Sequence, residues 1–483
     1  MTKERGLEAR LWEPDDDPLN YLKALIGVGL GEIPVVGSLL SALLGLLWPN
    51  SSADVWSQIK AQVEELIDQK INELEFSLIR AETNGLRAAI ASYLLRLKGG
   101  ASGSTIRNYF DSCNVVFEAA LPKIQNVDYA YLNLPFFSIA AQLHLSLLRD
   151  GVKFGQQWGM SEADHALLSE ELRTKISGYA DFIDSTIADE RKRRAKDEPT
   201  GDQQDYAALW NYWQKFDEQN VLLALDFKVL MPFMDPQAYP DGFPRSRMPF
   251  EDVFSRAYGS AEGWDGSHPD LAYQVEPIYR RPLAEIDRFE ITAAGDTHTV
   301  NVCYPSGTGP RAASYSRAGK IVRESGERYD KTSLLADQPS YGENLRTIRV
   351  PKAPAGRRYG IESATVSYGD IVQRCSFGLI DGSELRLWWG DQAGSSARVA
   401  VSGRFLSTIT MWTRNPRYNN VPGVLIFGFS IDPEYVAPGI RPHFAATPPL
   451  ARNGTVSRAG AAARADFWKT VGDYASQADS GKE

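Results

Sequence analysis

The histidines and cysteines of this 483-residue chain do not form a recognisable catalytic or metal-binding pattern. The three cysteines lie far apart in sequence without the spacing of a zinc site, and we expect them to be small buried apolar residues. We find no nucleophile elbow, phosphate loop or metal-spaced cluster. The sequence therefore predicts neither an enzyme nor a bound metal or cofactor. The scattered histidines are His144, His165, His268, His298 and His443.

The most regular polar pattern lies between residues 105 and 121. Arg107, Asp111, Asn114 and Glu118 follow one another at steps of four, three and four, which places them on one face of a helix. In a soluble protein this face would be solvated, with an Arg107–Asp111 pair worth only about 0.3 kcal/mol. In a membrane the same four residues would line a water-filled path.

Residues 129–148 form an uncharged stretch that a helix would extend over roughly 30 Å, the hydrocarbon thickness of a bilayer. Asn133, Ser138, Gln142 and His144 make it more polar than an ordinary lipid-facing anchor. One interpretation is the central helix of a soluble bundle, with His144 as a hydrogen-bonded core residue that could still respond to acid. The other is a helix that leaves the bundle and enters a membrane. The inserting residues would then be Leu134, Phe136, Phe137, Ile139, Leu143, His144, Leu145 and Leu147.

These residues would be positioned by helices, because helical periodicity runs through residues 18–235. We expect at least six helices, with the polar-striped helix and the stretch 129–148 paired as an antiparallel hairpin. A long helix from residue 54 is expected to break at residues 84–85, and a last helix over 206–231 is expected to end at Pro232.

A basic cluster closes the predicted helix that precedes residue 195. Arg191, Lys192, Arg193 and Arg194 are a candidate site for trypsin-like cleavage at an exposed end. The alternative is a solvated helix end whose cations interact favourably with the helix dipole.

Composition describes an ordinary globular protein of two or three domains, with 43% hydrophobic and 23% charged residues. The net charge of −9 argues against broad nucleic-acid binding, which requires a basic face. The polar N-terminus lacks a basic start followed by an apolar core, so we expect a protein made soluble without a signal peptide, in the cytoplasm or in an inclusion body.

After residue 240, short β-branched and aromatic runs alternate with turn residues, which predicts an all-β domain. The expected strands cover residues 286–291, 299–304, 345–350, 361–368, 372–379, 384–389, 397–401, 406–413 and 424–431. The predicted domains are an N-terminal extension (1–17), a helical bundle (18–245), an all-β domain (246–440), and a linker with a C-terminal helix or cleavable tail (441–483).

Three stretches of the helical half resemble the N-terminal domain of the insecticidal crystal delta-endotoxins, the Cry toxins. Residues 54–71, from DVW to EELIDQKI, resemble the second helix of that family, and AAQLHLSLLRD at 140–150 resembles its central fifth helix. LMPFMD at 230–235 resembles the end of the seventh. The resemblance implies a seven-helix bundle whose fourth and fifth helices insert as a hairpin, oligomerise and open a cation-permeable pore. The fourth helix would line that pore with Arg107, Asp111, Asn114 and Glu118.

The all-β half carries a weak repeat, in which a glycine at 295, 369 and 403 precedes an alternating strand. This is similar to jacalin-like lectins and to the second Cry domain, both β-prisms of three sheets whose apical loops bind glycans or receptors. The chain departs from the usual lectin sugar site, because Thr299, Gln373 and Ser407 stand where an Asp is expected. Candidate receptor contacts are Trp388, Trp389, Tyr418 and Asn419, unless the two tryptophans pack between sheets.

Two functions follow from these patterns. The first is a pore-forming toxin that acts outside the producing cell, binds a glycan or glycoprotein receptor on host gut epithelium through the β-prism, and forms a homo-oligomer in the membrane. The second is a non-lytic, lectin-like binding protein in which the bundle is a scaffold. The uncharged stretch beside a polar-striped helix favours the first. The small space left for a third Cry domain after residue 440 slightly favours the second.

Overall fold

The computed structural model describes residues 36–48, 55–198, 206–240, 253–259, 286–294, 296–303, 312–315, 321–325, 344–351, 360–369, 372–379, 381–389, 394–401, 404–414 and 421–431, with Leu19, Leu22 and Ile26. Its main helices are α1 (Ser38–Leu47), α2 (Val55–Ile67), α3 (Glu73–Lys98), α4 (Gly103–Ile124), α5 (Ala130–Phe154), α6 (Glu162–Arg194) and α7 (Tyr206–Asn220). The predicted antiparallel hairpin is formed by α4 and α5.

The described chain separates into two compact units. The helical unit holds α1–α6 and the segment that follows residue 221, whereas α7 and the strands form the β unit. The predicted domain limits near residues 17, 245 and 440 lie outside the described residues and stay predictions.

The break predicted at residues 84–85 is wrong, because α3 continues through both positions. The interruption lies at residues 68–72 instead. Asp68 adopts a left-handed backbone (φ 51°) just beyond α2, and the side chain of Asn72 caps α3 by accepting from the Leu74 backbone N–H at 2.8 Å. Gly85 is exposed on α3, so it lowers helix propensity without disturbing any packing.

The helix predicted over residues 206–231 is also interrupted. A π-helical turn (Val221–Leu225) follows α7, and then a short helical turn (Asp226–Lys228) leads to a 3-10 turn (Met231–Met234) that contains Pro232. The carbonyl of Phe227 accepts the Gln142 side chain at 2.6 Å as well as the Leu230 backbone N–H. A tertiary hydrogen bond of this kind leaves no trace in local periodicity.

Within the β unit, side chains of helix α7 form hydrogen bonds with backbone groups of β1 and of the residues next to it. Trp210 Nε1 donates to the carbonyl of Ser255 at 3.1 Å, and Gln214 Nε2 donates to that of Phe254 at 2.5 Å. The Asn211 amide oxygen accepts from the backbone N–H of Ala257 at 2.7 Å. These bonds cover a strand edge that would otherwise expose unpaired backbone groups.

The β unit contains three antiparallel sheets. One has the order β1 (Val253–Phe254), β13 (Val421–Ile431), β12 (Arg404–Arg414), with β2 (Tyr258–Gly259) also on β13. The second has the order β10 (Glu384–Trp389), β9 (Val372–Leu379), β8 (Ile361–Tyr368), β11 (Ser395–Ala400). The third has the order β6 (Ile321–Ser325), β5 (Ala312–Tyr315), β4 (Asp296–Cys303), β3 (Arg288–Ala294), β7 (Asn344–Arg349).

All three sheets contribute to one hydrophobic core. Phe289 of β3 stacks on Phe377 of β9 with 5.0 Å between ring centroids, and Phe377 meets Phe427 of β13 edge-on at 6.4 Å. Three sheets around a shared core are the arrangement predicted for this half of the chain. The nine predicted strands are present within a few residues of their expected bounds, and the short strands β1, β2, β5 and β6 were not predicted.

Candidate functional site

Helix α5 is enclosed by the rest of the helical unit. All of its residues from Asn133 to Val152 are buried, including every predicted membrane-inserting residue. Within the part of the chain that the structure describes, one stretch, Val127–Trp158, is long and apolar enough to cross a membrane. The core helix of a water-soluble bundle has the same composition, so this property agrees with both interpretations of the stretch.

The polar side chains of α5 are tied to neighbouring elements. Asn133 Nδ2 donates to Glu75 of α3 at 2.6 Å, and Gln142 Nε2 donates to the Phe227 carbonyl. Ser138 bonds back to the Leu134 carbonyl of its own helix at 2.8 Å. Such bonds offset the cost of burying polar groups in an apolar bundle.

A buried acid near the C-terminal end of α5 holds two other segments. The Asp150 carboxylate accepts from the backbone N–H of Gly37 at 2.9 Å and from the Tyr93 hydroxyl at 3.3 Å. Burial raises the pKa of Asp150 to about 7, against the opposing effects of these hydrogen bonds and of Arg149. Gly37 has a left-handed backbone (φ 75°), which turns its N–H toward the acid at the start of α1.

His144 lies at the centre of the helical unit. Its Nε2 is 2.6 Å from Asn114 Oδ1 on α4, its Nδ1 is 2.6 Å from the Tyr179 hydroxyl on α6, and its ring stacks on Phe117 at 4.8 Å. Burial, reinforced by the nearby Lys175 charge, lowers the pKa of His144 to about 3. His144 is therefore a neutral, hydrogen-bonded residue in the closed bundle.

The polar stripe of α4 faces α6. Three of its four members each contact an α6 side chain 57 positions later in the chain, so the two helices run parallel. Asp111 is 55% exposed and lies 3.8 Å from Arg107 of its own helix. The α4–α6 pairs are Arg107–Asp164 at 2.9 Å, Asn114–Glu171 at 3.0 Å and Glu118–Lys175 at 2.6 Å.

The basic cluster forms the last turn of α6. Arg193 and Arg194 both donate to Glu190, at 2.5 and 2.8 Å, and Lys192 donates to Asp189 at 2.9 Å. Arg191 is exposed in the same turn. A 3-10 turn (Ala195–Asp197) follows the cluster, so proteolysis here would require local unwinding, and the cleavage site stays a prediction.

The structure does not describe the side chains of the four predicted receptor contacts. Trp388 and Trp389 lie on β10, and the structure describes their backbone only. Tyr418 and Asn419 lie outside the described residues. Of the three positions where a lectin Asp is absent, Thr299 and Ser407 fall on β4 and β12, and Gln373 falls on β9 as a half-buried residue.

Several residues that hold the site together were not singled out from the sequence. Glu75 and Tyr93 of α3 belong to helix faces that read as ordinary amphipathic pattern, yet both are buried and bonded to α5. The α6 partners of the polar stripe repeat its four- and seven-residue steps, which was an available signal. Among the described residues no group of three or more His, Cys, Asp or Glu could hold a metal ion.

The same fold, a helical unit that encloses a largely apolar helix and a second unit of three antiparallel sheets, is found in solved structures of other proteins. The chain superimposes on Bacillus thuringiensis Cry8Ea1 with a TM-score of 0.55 at 19% identity, covering 86% of this chain and 74% of that one. It superimposes on PirB with a TM-score of 0.62 at 13% identity, covering 86% and 94%. These likenesses define the fold.

Sequence comparison identifies the helical part of the chain. Residues 25–235 match the delta endotoxin N-terminal domain. The chain is 26% identical to pesticidal crystal protein Cry1Id of Bacillus thuringiensis over 286 residues, and 30% identical to Cry8Ca of Bacillus thuringiensis subsp. japonensis over 222 residues. Residues 25–235 are therefore a delta endotoxin N-terminal domain, as the sequence blocks of the helical half predicted.

The shared region is a limited part of those relatives. The matches cover 58% and 44% of this chain but only 37% and 18% of Cry1Id and Cry8Ca.

Proposed function

We propose that this protein is a pore-forming insecticidal toxin that inserts the α4–α5 hairpin into a gut epithelial membrane. The observation that carries the proposal is the pairing of two unlike helices. One, α5, is uncharged up to Leu148 and buried from Asn133 to Val152, and the other, α4, bears a polar stripe engaged with α6. A membrane hairpin needs one apolar surface for lipid and one polar surface for water.

The α4–α6 pairs give this hairpin a defined closed state in water. Their partially exposed ion pairs are each worth less than about 1 kcal/mol, so these pairs oppose separation of α4 from α6 only weakly. After separation, Arg107, Asp111, Asn114 and Glu118 would face a water-filled lumen and α5 would face lipid. Several copies would be needed to enclose that lumen, so the active form is a homo-oligomer.

The β unit would supply recognition of a surface glycan or glycoprotein. Its three-sheet core provides a rigid support for the connecting loops, where binding residues commonly lie. Trp388, Trp389, Tyr418 and Asn419 remain the proposed contacts. Cleavage near Arg191–Arg194 is proposed as an activating step, because it would separate α6 from the chain that leads to α7.

Release of a trapped dye from vesicles made of brush-border membrane lipids and proteins tests pore formation, with and without trypsin. Leakage is expected, and a requirement for trypsin would support the activating cleavage. Absence of leakage under all these conditions would contradict the proposal and leave a non-lytic binding protein.

Ion selectivity in planar bilayers tests the lining. Asp111→Lys should reduce cation selectivity, because residue 111 would face the lumen, while its exposure in the closed bundle leaves folding intact. Asp189→Lys is the matched control, since Asp189 is 75% exposed on α6 outside the hairpin. Equal cation selectivity of the two variants would show that residue 111 does not line the lumen.

A further inference from the structure

The hydrogen bonds around His144 form a chain that begins and ends on α6, and the α6 backbone closes this chain into a ring through three helices. The Glu171 carboxylate can only accept, so the Asn114 amide turns its NH₂ toward it and its oxygen toward His144. His144 Nε2 must therefore carry the hydrogen, and Nδ1 accepts from the Tyr179 hydroxyl. The ring runs from Tyr179 on α6 to α5, then to α4, and returns to α6 at Glu171.

This ring has one stable protonation state. A second proton on His144 would bind to Nδ1, because this is the imidazole nitrogen that carries no hydrogen. The Tyr179 hydroxyl would then lose its acceptor. The new charge would also be buried, since His144 is 0% exposed. Proton uptake thus reverses the bond to Tyr179, leaves the hydroxyl hydrogen without its acceptor, and places a charge at the buried contact between α5 and α6.

We propose that the ring around His144 is a proton-sensitive lock that holds the α4–α5 hairpin against α6. The lock concerns the closed bundle in water, and its use in membrane insertion rests on the proposed function. His144 acts as a positioning residue in the closed bundle, because it lies on α5 and contacts side chains of both α4 and α6.

Charged neighbours set the response of the lock. From α4, Glu118 Oε1 lies 3.9 Å from His144 Nε2 but is engaged by Lys175 at 2.6 Å. From α6, the Lys175 charge disfavours a second cation, and Glu171 is reached only through Asn114. Lys175 thus keeps the one nearby carboxylate from stabilising protonated His144.

The effect can be expressed as an opening ratio. With a pKa of about 3 when closed and about 6.5 when exposed, His144 alone makes opening about 25-fold more favourable at pH 5 than at pH 7. Asp150 acts in the opposite direction, because its raised pKa makes the closed state more stable as the pH falls. The wild-type profile contains both effects, so a comparison of variants is required.

The test is hydrogen exchange of the α4 and α5 amides in the full chain without lipid, expressed as protection factors. His144→Gln keeps a donor and an acceptor but cannot titrate. The ratio of wild-type to His144→Gln protection should fall about 25-fold from pH 7 to pH 5, since every other group is common to both. His165→Gln is the matched control, because His165 bonds the Val152 carbonyl outside the ring, and it should follow wild type.

Lys175→Gln and Lys175→Arg keep the test decisive if His144→Gln does not fold. Lys175→Gln frees Glu118 to stabilise the imidazolium and should reduce the pH response, while Lys175→Arg should preserve it. Three results would each contradict the lock. The first is a pH profile of protection in His144→Gln that is parallel to that of wild type. The second is a change in His165→Gln as large as that in His144→Gln, and the third is a pH response in Lys175→Gln equal to that of wild type.

Dye release by the same variants separates the lock from pore formation. If the variants show the expected exchange pattern but no leakage at any pH, the lock is supported and the proposed pore is refuted. Leakage without a His144-dependent exchange pattern would refute the lock and leave the pore.

Discussion

Asp150 is the titratable group whose replacement should most change the pH dependence of the helical unit. It is fully buried, its pKa is raised from 3.8 to about 7, and its carboxylate accepts from Gly37 and Tyr93. A carboxyl whose folded pKa is raised stabilises the fold fully below its unfolded pKa, and that stability is lost as the pH rises through the folded pKa. A difference of about three units corresponds to about 4 kcal/mol lost between pH 4 and pH 8.

Asp150→Asn removes this loss while keeping an oxygen that can accept from Gly37 and Tyr93. Relative to wild type, the variant should gain about 4 kcal/mol of unfolding free energy between pH 4 and pH 8. Urea unfolding followed by helical circular dichroism measures it, with Asp189→Asn as an exposed control that should follow wild type. Parallel profiles of wild type and Asp150→Asn would refute the assigned role of burial.

Three further substitutions test the packing by the same urea measurement. Gly37→Ala should cost about 1–3 kcal/mol, because the residue has φ 75° and a Cβ would lie 2.6 Å from Leu97; an unchanged free energy would contradict this. Gly85→Ala should instead stabilise α3 by up to about 1 kcal/mol, since a Cβ there meets nothing within 4 Å; destabilisation would argue against an open site. Leu143→Ala should cost about 2–5 kcal/mol, because the side chain is 1% exposed in the centre of the unit; a loss below 1 kcal/mol would show that the site collapses around the cavity.

Much of the fold was predictable because its signals are local. The uncharged stretch 129–148 became the buried core of α5, and the alternating runs after residue 286 became strands near their expected bounds. The short strands β5 and β6 were missed, since runs of four and five residues carry little pattern. The break assigned to residues 84–85 shows that a glycine on an exposed helix face need not end the helix.

The matching spacing of α4 and α6 was visible in the sequence, but the contacts that the polar side chains make were not. The sequence placed Asn114 and Glu118 on a polar face, but water, lumen and another helix all suit such a face. Only the fold shows that this face meets α6 and that Asn114 also reaches His144. Long-range hydrogen bonds such as that from Gly37 to Asp150, 113 positions apart, depend on tertiary packing that no local pattern specifies.

Dye release by a protein whose hairpin is chemically tied to α6 tests the central claim most directly. Glu118→Cys with Lys175→Cys, joined by a short bismaleimide, would link α4 to α6 where their side chains meet at 2.6 Å. Asp189→Cys with Lys192→Cys is the matched control, because that link joins two residues of α6 alone, and single-cysteine variants control for the native thiols. We predict that the α4–α6 link abolishes leakage and the α6 link does not. Full leakage with α4 tied to α6 would contradict insertion of the α4–α5 hairpin.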